Sequence, residues 1–231
     1  MRVALGVRSL DALLGGGVEE GCIMLLHGEA GSGKTNLCLQ LARNVVRAGR
    51  KVIYIDTEGV SMDRLRQMCG DDFELVARNI LFSEPYSFEE QENLIEKATK
   101  LTENNPEVGL IVIDSVTMHY RLTMKDETRR DERHSLTRQI AKLLRVSRTR
   151  SIPVVVTSQV YTDIDTGRYM PLGGHMLSHN AKTIVRLEKA GPSRRVAVLE
   201  KHRHQPEDTR AEFRITGIGL EDYASEGGRP S

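Results

Sequence analysis

The sequence predicts a three-layer α/β/α domain built on a mostly parallel sheet. Three observations carry this. A glycine-rich loop joins an apolar strand to a helical pattern near the start. Strand-length apolar runs then alternate with helix-length segments. Late in the chain the alternation stops, and short strands follow one another across turns. Strands alternating with helices call for right-handed crossovers, which cover a parallel sheet on both faces. Strands joined directly by turns extend such a sheet in antiparallel fashion.

The first strand is read at Cys22–His27, an apolar run of buried-strand length. It leads into Gly28-Glu29-Ala30-Gly31-Ser32-Gly33-Lys34-Thr35 and then a helical pattern from Asn36 to Ala48. Further strands are expected at Val52–Asp56, Ile80–Phe82, Leu110–Asp114 and Val154–Thr157. Helices are expected between them at Met62–Cys69, Phe88–Thr102 and Asp131–Arg150. Ser87, with Glu90 three residues on, reads as a capping box opening the third of these helices. From Lys182 the strands Thr183–Glu188, Arg195–Lys201 and Ala211–Ile215 follow, the first two joined by the turn residues Ala190-Gly191-Pro192-Ser193. Residues ~118–132 and ~160–178 take no regular assignment. Both follow strand ends on the side where open α/β sheets bind ligands, and loops of that length tend to be functional. Residues 1–223 read as one domain and 224–231 as a flexible tail.

Composition narrows the classes. At 231 residues, with 39% hydrophobic and 28% charged residues, the chain suits one soluble domain with one core. A formal net charge of +1 excludes a globally basic nucleic-acid binder and leaves local patches open. Cys22, Cys38 and Cys69 form no CxxC pair and have apolar neighbours, which predicts reduced, buried thiols in the cytoplasm. No apolar run reaches the ~18 residues a membrane span needs, so no membrane association is expected, and no signal-peptide core opens the chain.

The glycine loop is a phosphate-binding motif in its required strand–loop–helix context. Glycines let the backbone turn tightly and aim its N–H groups into a concave cradle, and the helix N-terminus adds partial positive charge. Lys34 then reaches the β/γ-phosphates and the Thr35 hydroxyl takes Mg²⁺. Asp114, at the end of an apolar strand roughly 80 residues on, supplies the acid that holds Mg²⁺ beside that loop. Glu58 ends a strand expected to flank the loop strand. It is either the base that orients an attacking water or a solvated loop acid. Asp56 is expected to brace that edge. Gln159 either senses the γ-phosphate or pairs with backbone at a loop mouth.

In chain order stand the phosphate loop, Asp56-Thr57-Glu58-Gly59, the strand ending Asp114-Ser115, the strand ending Gln159, Leu172-Gly173-Gly174 and a late histidine. Together these resemble the RecA-fold recombinases over nearly the whole chain, from Gly6–Asp11 and Leu14–Gly17 to Gly219–Asp222. Within them the chain is similar to the archaeal RadB proteins, on Val198–Arg203, Pro206-Glu207 and Phe213–Thr216. The resemblance implies a RecA-like ATPase core with ATP and Mg²⁺ as cofactors. It assigns Lys34 and Thr35 to phosphate and metal, Asp114 to the metal, and Glu58 to water activation. Gln159 links nucleotide state to a second DNA-binding loop. Arg64 resembles the arginine that lies against adenine, although the stretch Gly59–Arg64 is one residue shorter than in strand-exchange enzymes. His179 resembles a histidine near the γ-phosphate across a subunit boundary. Lys201 and Arg203 resemble a basic pair that bacterial RecA uses in trans; in a monomer they are expected to be solvated cations.

DNA contact is expected at the two irregular segments, through Arg121, Lys125, Arg129 and Arg130 in one and Tyr161, Arg168 and Tyr169 in the other. Basic residues there give salt-dependent affinity for phosphates, and the tyrosines stack bases. The alternative is a solvated helix start laced with ion pairs, since Asp126, Glu127, Asp131 and Glu132 are interspersed. Arg145, Arg148 and Arg150 would add a basic face at the helix end.

The strand-exchange relatives carry an extra N-terminal DNA-binding domain and a linker with a Phe-x-x-Ala polymerisation anchor; this chain shows neither. The expectation is therefore a recombination and repair accessory with weak ATPase activity and no strand exchange of its own. Its expected partners are single-stranded or branched DNA, the main archaeal recombinase and a Holliday-junction endonuclease. A homodimer is expected where the anchor is missing. The competing expectations are a KaiC-like regulatory ATPase acting on proteins and a non-hydrolysing, ATP-switched mediator.

Overall fold

A computed structural model describes residues 1–123, 129–162 and 169–223, with the backbone alone described at 123, 129–130, 162 and 169–171. The chain opens with β1 (Arg2–Val3), α1 (Arg8–Leu13) and β2 (Val18–Glu19), and β1 pairs antiparallel with β2. Next come β3 (Ile23–Gly28), α2 (Lys34–Arg47), β4 (Lys51–Asp56), α3 (Met62–Cys69), a 3₁₀ turn at Gly70–Asp72, α4 (Phe73–Arg78) and β5 (Ile80–Ser83). They are followed by α5 (Phe88–Asn104), β6 (Val108–Asp114), α6 (Met118–Thr123), α7 (Arg129–Arg150), β7 (Val154–Ser158), β8 (Val160–Thr162), β9 (Tyr169–Pro171) and α8 (Gly174–Asn180). The described chain ends with β10 (Thr183–Lys189), β11 (Arg194–Lys201), β12 (Arg210–Thr216) and β13 (Gly219–Asp222).

Among the described residues nine strands form the main sheet, in the order β13-β12-β11-β10-β3-β7-β6-β4-β5. From β10 to β5 every pairing is parallel, and β10 to β13 pair antiparallel. The α/β/α architecture and its antiparallel extension are thus as the sequence predicts. Two apolar cores flank the sheet. One joins α1 to α4 to one face, through Leu10, Leu37, Leu41, Leu65 and Val76. The other joins α5, α7 and α8 to the opposite face, through Ile95, Ile140, Leu143 and Leu177. Burial on both sides is why β3, β6 and β7 read as near-continuous apolar runs, polar only toward their ends. Each fully buried leucine contributes about 1.5–3 kcal/mol.

Helix α5 starts where the capping pair predicts. Ser87 Oγ accepts the Glu90 N–H at 3.1 Å, but the Glu90 carboxylate reaches back to the Tyr86 N–H at 2.8 Å, one residue earlier than a capping box requires. The three cysteines are free and buried, and burial pushes the Cys22 thiol up to about 11. Among the described residues no helix is long and apolar enough to cross a membrane.

Two expectations are corrected. The strand carrying Glu58 does not flank the phosphate-loop strand, because β7 and β6 lie between β4 and β3. The first crossover jumps over positions that later strands fill, and local pattern carries no record of that jump. The two segments without regular assignment also contain order: α6 and the start of α7 in the first, the antiparallel β8–β9 pair and α8 in the second. Each is too short for periodicity to register. The tail at 224–231 lies outside the described residues.

Candidate functional site

Strand β3 ends at Gly28, whose partner in register on β10 is Leu187. A Cβ at Gly28 would fall 2.4 Å from the Leu187 carbonyl oxygen and 2.8 Å from Ser32 Oγ, so only glycine fits. Gly31 and Gly33 take φ of 75° and 106°, values that L side chains resist. Gly33 caps α2 without any side-chain hydrogen bond, which leaves the first helical N–H groups for an anion. Ser32 Oγ is buried with no partner among the described residues. Glu29 and Ala30 complete the bend. These features fit a triphosphate cradle.

Lys34 lies at the first turn of α2, only 6% exposed. Its Nζ donates to the Gly28 and Glu29 carbonyl oxygens at 2.9 and 3.2 Å. Burial lowers its pKa, and the charges of Glu58 and Asp114 work against that. An ammonium held by loop carbonyls is a donor already delivered to the cradle.

Asp114 ends β6 fully buried. Its carboxylate accepts from Tyr54 Oη at 2.9 Å and Thr157 Oγ1 at 2.6 Å. Burial raises its pKa, while hydrogen bonds from Thr157, Thr35 and Tyr54 pull it back. Thr35 and Asp114 therefore meet across the loop, although β7 separates their strands. A hydroxyl beside a carboxylate is an all-oxygen donor set suited to Mg²⁺.

The sign of that pKa shift gives a stability prediction. A folded-state value above the unfolded one means that stability is greatest with the acid protonated, and is lost as pH rises through the folded value. At neutral pH the Asp114 carboxylate then costs stability. Asp114→Asn is expected to raise the melting temperature of the nucleotide-free protein by about 2–4 °C, the shift for about 1 kcal/mol in a domain of this size. A lowered melting temperature in calorimetry would sink this account of the burial.

Past the end of β4, the Asp56 carboxylate accepts the N–H groups of Glu58 and Gly59 at 3.1 and 2.9 Å, and that of Val60. This is the expected brace. The Thr57 hydroxyl donates to the Ser115 carbonyl at 2.9 Å and accepts the Ser115 N–H at 2.8 Å, tying the β4 and β6 ends together. Glu58, so displayed, is exposed, and its Oε1 accepts from Gln159 Nε2 at 3.0 Å. Gln159 thus pairs with the candidate base, a partner that neither sequence alternative named.

Arg64 is fixed at four points. Its Nε donates to Asn36 Oδ1 at 2.7 Å, its other nitrogens to Gln67 Oε1 and to the Gly217 and Thr216 carbonyls. Burial lowers its pKa. Asn36 belongs to the first turn of α2, so Arg64 stands beside the phosphate loop despite the shortened Gly59–Arg64 stretch.

His179, Lys201 and Arg203 gather elsewhere. Lys201 pairs in register with Ile184, and Ile184 with Leu25, three residues before Gly28. That is roughly 10 Å down the strand at ~3.3 Å per residue, toward the edge away from this chain's own loop. Against the expectation for a monomer Lys201 is half-buried, whereas Arg203 is exposed as expected. Lys201 Nζ donates to the Ser178 carbonyl at 2.7 Å, and Arg203 pairs with Glu19 at 3.0 Å. Both find acceptors that tertiary packing supplies. Exposed His179 is next to Ser178 in α8.

Of the expected DNA-contact residues, Lys125 and Arg168 lie outside the described residues. Arg129 and Arg130 begin α7, and Tyr169 begins β9. Arg121 is exposed at the end of α6, and Tyr161 is 45% exposed on β8. Tyr161 lines a cleft of about 630 Å³ with Tyr120, Arg133, Thr137, His175 and Met176. The cleft joins the two segments that the sequence singled out separately. The basic face expected at the end of α7 is reduced. Arg145 pairs with Glu103 at 2.6 Å, in a ladder with Lys142–Glu96 and Arg138–Glu92 toward α5.

Sequence reasoning missed Tyr54 and Thr157, the hydroxyls that aim Asp114. A signal existed for Tyr54, the one hydroxyl-bearing residue inside the apolar run of β4.

A mostly parallel sheet with a phosphate loop after β3, and acidic residues converging from other strand ends, defines a RecA-like nucleotide-binding fold. Residues 1–223 match the family model described as Rad51. A protein of Methanococcoides burtonii named DNA repair and recombination protein RadB is 46% identical over 92% of this chain and 94% of its own. Its namesake in Thermoplasma acidophilum is 40% identical over 95% of this chain and 93% of its own. A crystal structure titled as that of the RadB recombinase superposes with a TM-score of 0.82 at 37% identity, covering 96% of this chain and all of that one. The chain belongs to the Rad51 family, in its RadB branch.

Proposed function

We propose that the chain is an ATP- and DNA-binding accessory of recombination and repair, with weak ATPase activity and no strand exchange of its own, carried by one domain over residues 1–223. The names of its relatives support the process. The observation that carries the chemistry is the meeting of Lys34, Asp114 and the Glu58–Gln159 pair around one glycine cradle. In this reading the loop amides from Gly28 to Lys34 take the phosphates and Lys34 turns from its carbonyls to the β/γ-phosphates. Thr35 and Asp114 would hold Mg²⁺, which would supply positive charge against the phosphate oxygens. Arg64 and Asn36 border the base. Glu58 accepts a proton from the attacking water, and Gln159 reports that change to the segment beginning at Val160.

Weak turnover follows from the position of Lys201 and Arg203. Both sit at the far edge of the sheet, so this chain's own cradle gains no charge stabilisation from them. ATP turnover is therefore expected to be slow in isolation and to rise with protein concentration on single-stranded DNA. A phosphate-release assay measures both; failure of the protein to bind Mg–ATP at all would refute the reading. A homodimer belongs to the same proposal and is read by light scattering.

Arg121 and Tyr161, on the rim shared by the two segments, support DNA contact. A single strand held by about four phosphate contacts should bind roughly fifty-fold more weakly in fourfold more salt. Affinity indifferent to salt in fluorescence anisotropy would count against phosphate-led binding.

A further inference from the structure

One buried group beneath the cradle has no part in that reading. Along β3, Ile23 and Leu25 enter the core shared with α5 and α7. The next residue in that alternation is His27, fully buried and one residue before Gly28. A third aliphatic side chain would complete the pattern. Instead, His27 Nε2 lies 2.6 Å from Glu200 Oε2 on β11. Glu200 Oε1 accepts from Arg186 Nε at 2.7 Å, and Arg186 is on β10, the strand between. His27 Nδ1 is buried with no partner among the described residues. An orphaned buried nitrogen is uncommon and destabilising, so the imidazole is retained at a cost in stability. Burial acts to raise the Glu200 pKa, but hydrogen bonds and charge from His27 and Arg186 outweigh it and hold the carboxyl below its usual range.

The neighbours of this triad connect it to both ends of the proposed site. Glu200 precedes Lys201, whose ammonium holds the Ser178 carbonyl of α8. In register on the other side of His27 is Ser158, whose hydroxyl holds the Leu172 carbonyl and whose successor is Gln159. Lys34 must release the Gly28 carbonyl to meet a phosphate. The residue adjoining His27 is therefore where the loop changes on filling.

We propose that His27 is a positioning residue which, with Glu200 and Arg186, couples filling of the phosphate loop to the placement of α8 and of the Lys201–Arg203 end of β11. The proposal rests on the nucleotide-binding reading above. The short hydrogen bond from His27 transmits displacement across β10 to Glu200 because the fully buried imidazole cannot retreat into solvent and Arg186 holds the other carboxylate oxygen.

The test is hydrogen exchange of Gly174–Asn180, with and without Mg²⁺ and a non-hydrolysable ATP analogue, alongside binding of that analogue. In the wild-type protein the analogue should slow exchange there by about tenfold. His27→Leu should bind the analogue yet change exchange less than about twofold. His27→Gln, which keeps a donor toward Glu200, should restore the wild-type response; a role in packing alone predicts the reverse order. If His27→Leu does not fold, Glu200→Ala, on a side chain 31% exposed, carries the same test. Binding with a full wild-type response in either variant overturns the coupling alone. No binding by the wild-type protein overturns the nucleotide reading and the coupling with it.

Discussion

Replacing Lys34 by alanine is expected to abolish measurable ATP turnover and to weaken Mg–ATP binding by at least about a hundredfold, since removing a charge-assisted contact to a charged ligand costs on the order of 3 kcal/mol. The geometry makes this the largest single loss. Lys34 is buried and held by the Gly28 and Glu29 carbonyls, and the other buried cation at the loop among the described residues, Arg195, is tied to the Gly31 and Gly191 carbonyls at 3.1 and 2.9 Å. Truncation of Lys34 leaves no stem from which another side chain reaches the same point. Lys189 is near Gly31, but it lies 3.8 Å from the Glu29 carboxylate and is half-exposed. Calorimetric titration and phosphate release measure the two effects separately. Wild-type turnover in Lys34→Ala would refute the site.

Glu58→Gln should lower turnover by about 10²–10⁴-fold, the usual worth of a positioned base, while ATP affinity stays within a few-fold. The substitution is discriminating because the amide oxygen still accepts from Gln159 Nε2, so the 3.0 Å pairing survives and only basicity is lost. Gln159→Ala is the complement. It keeps the base and removes its partner, and should cut the response to DNA more than basal turnover. If Glu58→Gln turns ATP over at the wild-type rate, Glu58 is the solvated loop acid of the alternative reading. The non-hydrolysing mediator would stand in place of an ATPase only if the wild-type protein binds Mg–ATP and releases no phosphate.

The long elements were legible because each is set by local rules. The helix Met62–Cys69 has the same bounds in sequence and structure, with Ser61 capping its first turn at the Arg64 N–H. Buried parallel strands announce themselves as apolar runs, and the phosphate loop by its glycines. The short elements were not legible. Helix α8 spans seven residues after a left-handed Gly173, and β8 and β9 have three residues each. Such pieces form only when the sheet offers a surface. The same limit hid Tyr54 and Thr157, whose role as donors to Asp114 depends on three strands lying side by side.

By itself, then, the sequence determined the fold class, the cradle and the kinds of chemical group around it, because these follow from periodicity, glycine spacing and the character of strand ends. Only the tertiary structure decided the strand order, which sets β4 three places from β3. It alone joined Glu58 to Gln159 across 101 residues of chain, and turned Lys201 and Arg203 away from their own loop. The physical reason is that local propensity extends over a few residues, whereas crossovers and hydrogen bonds between distant strands are settled by how whole layers pack.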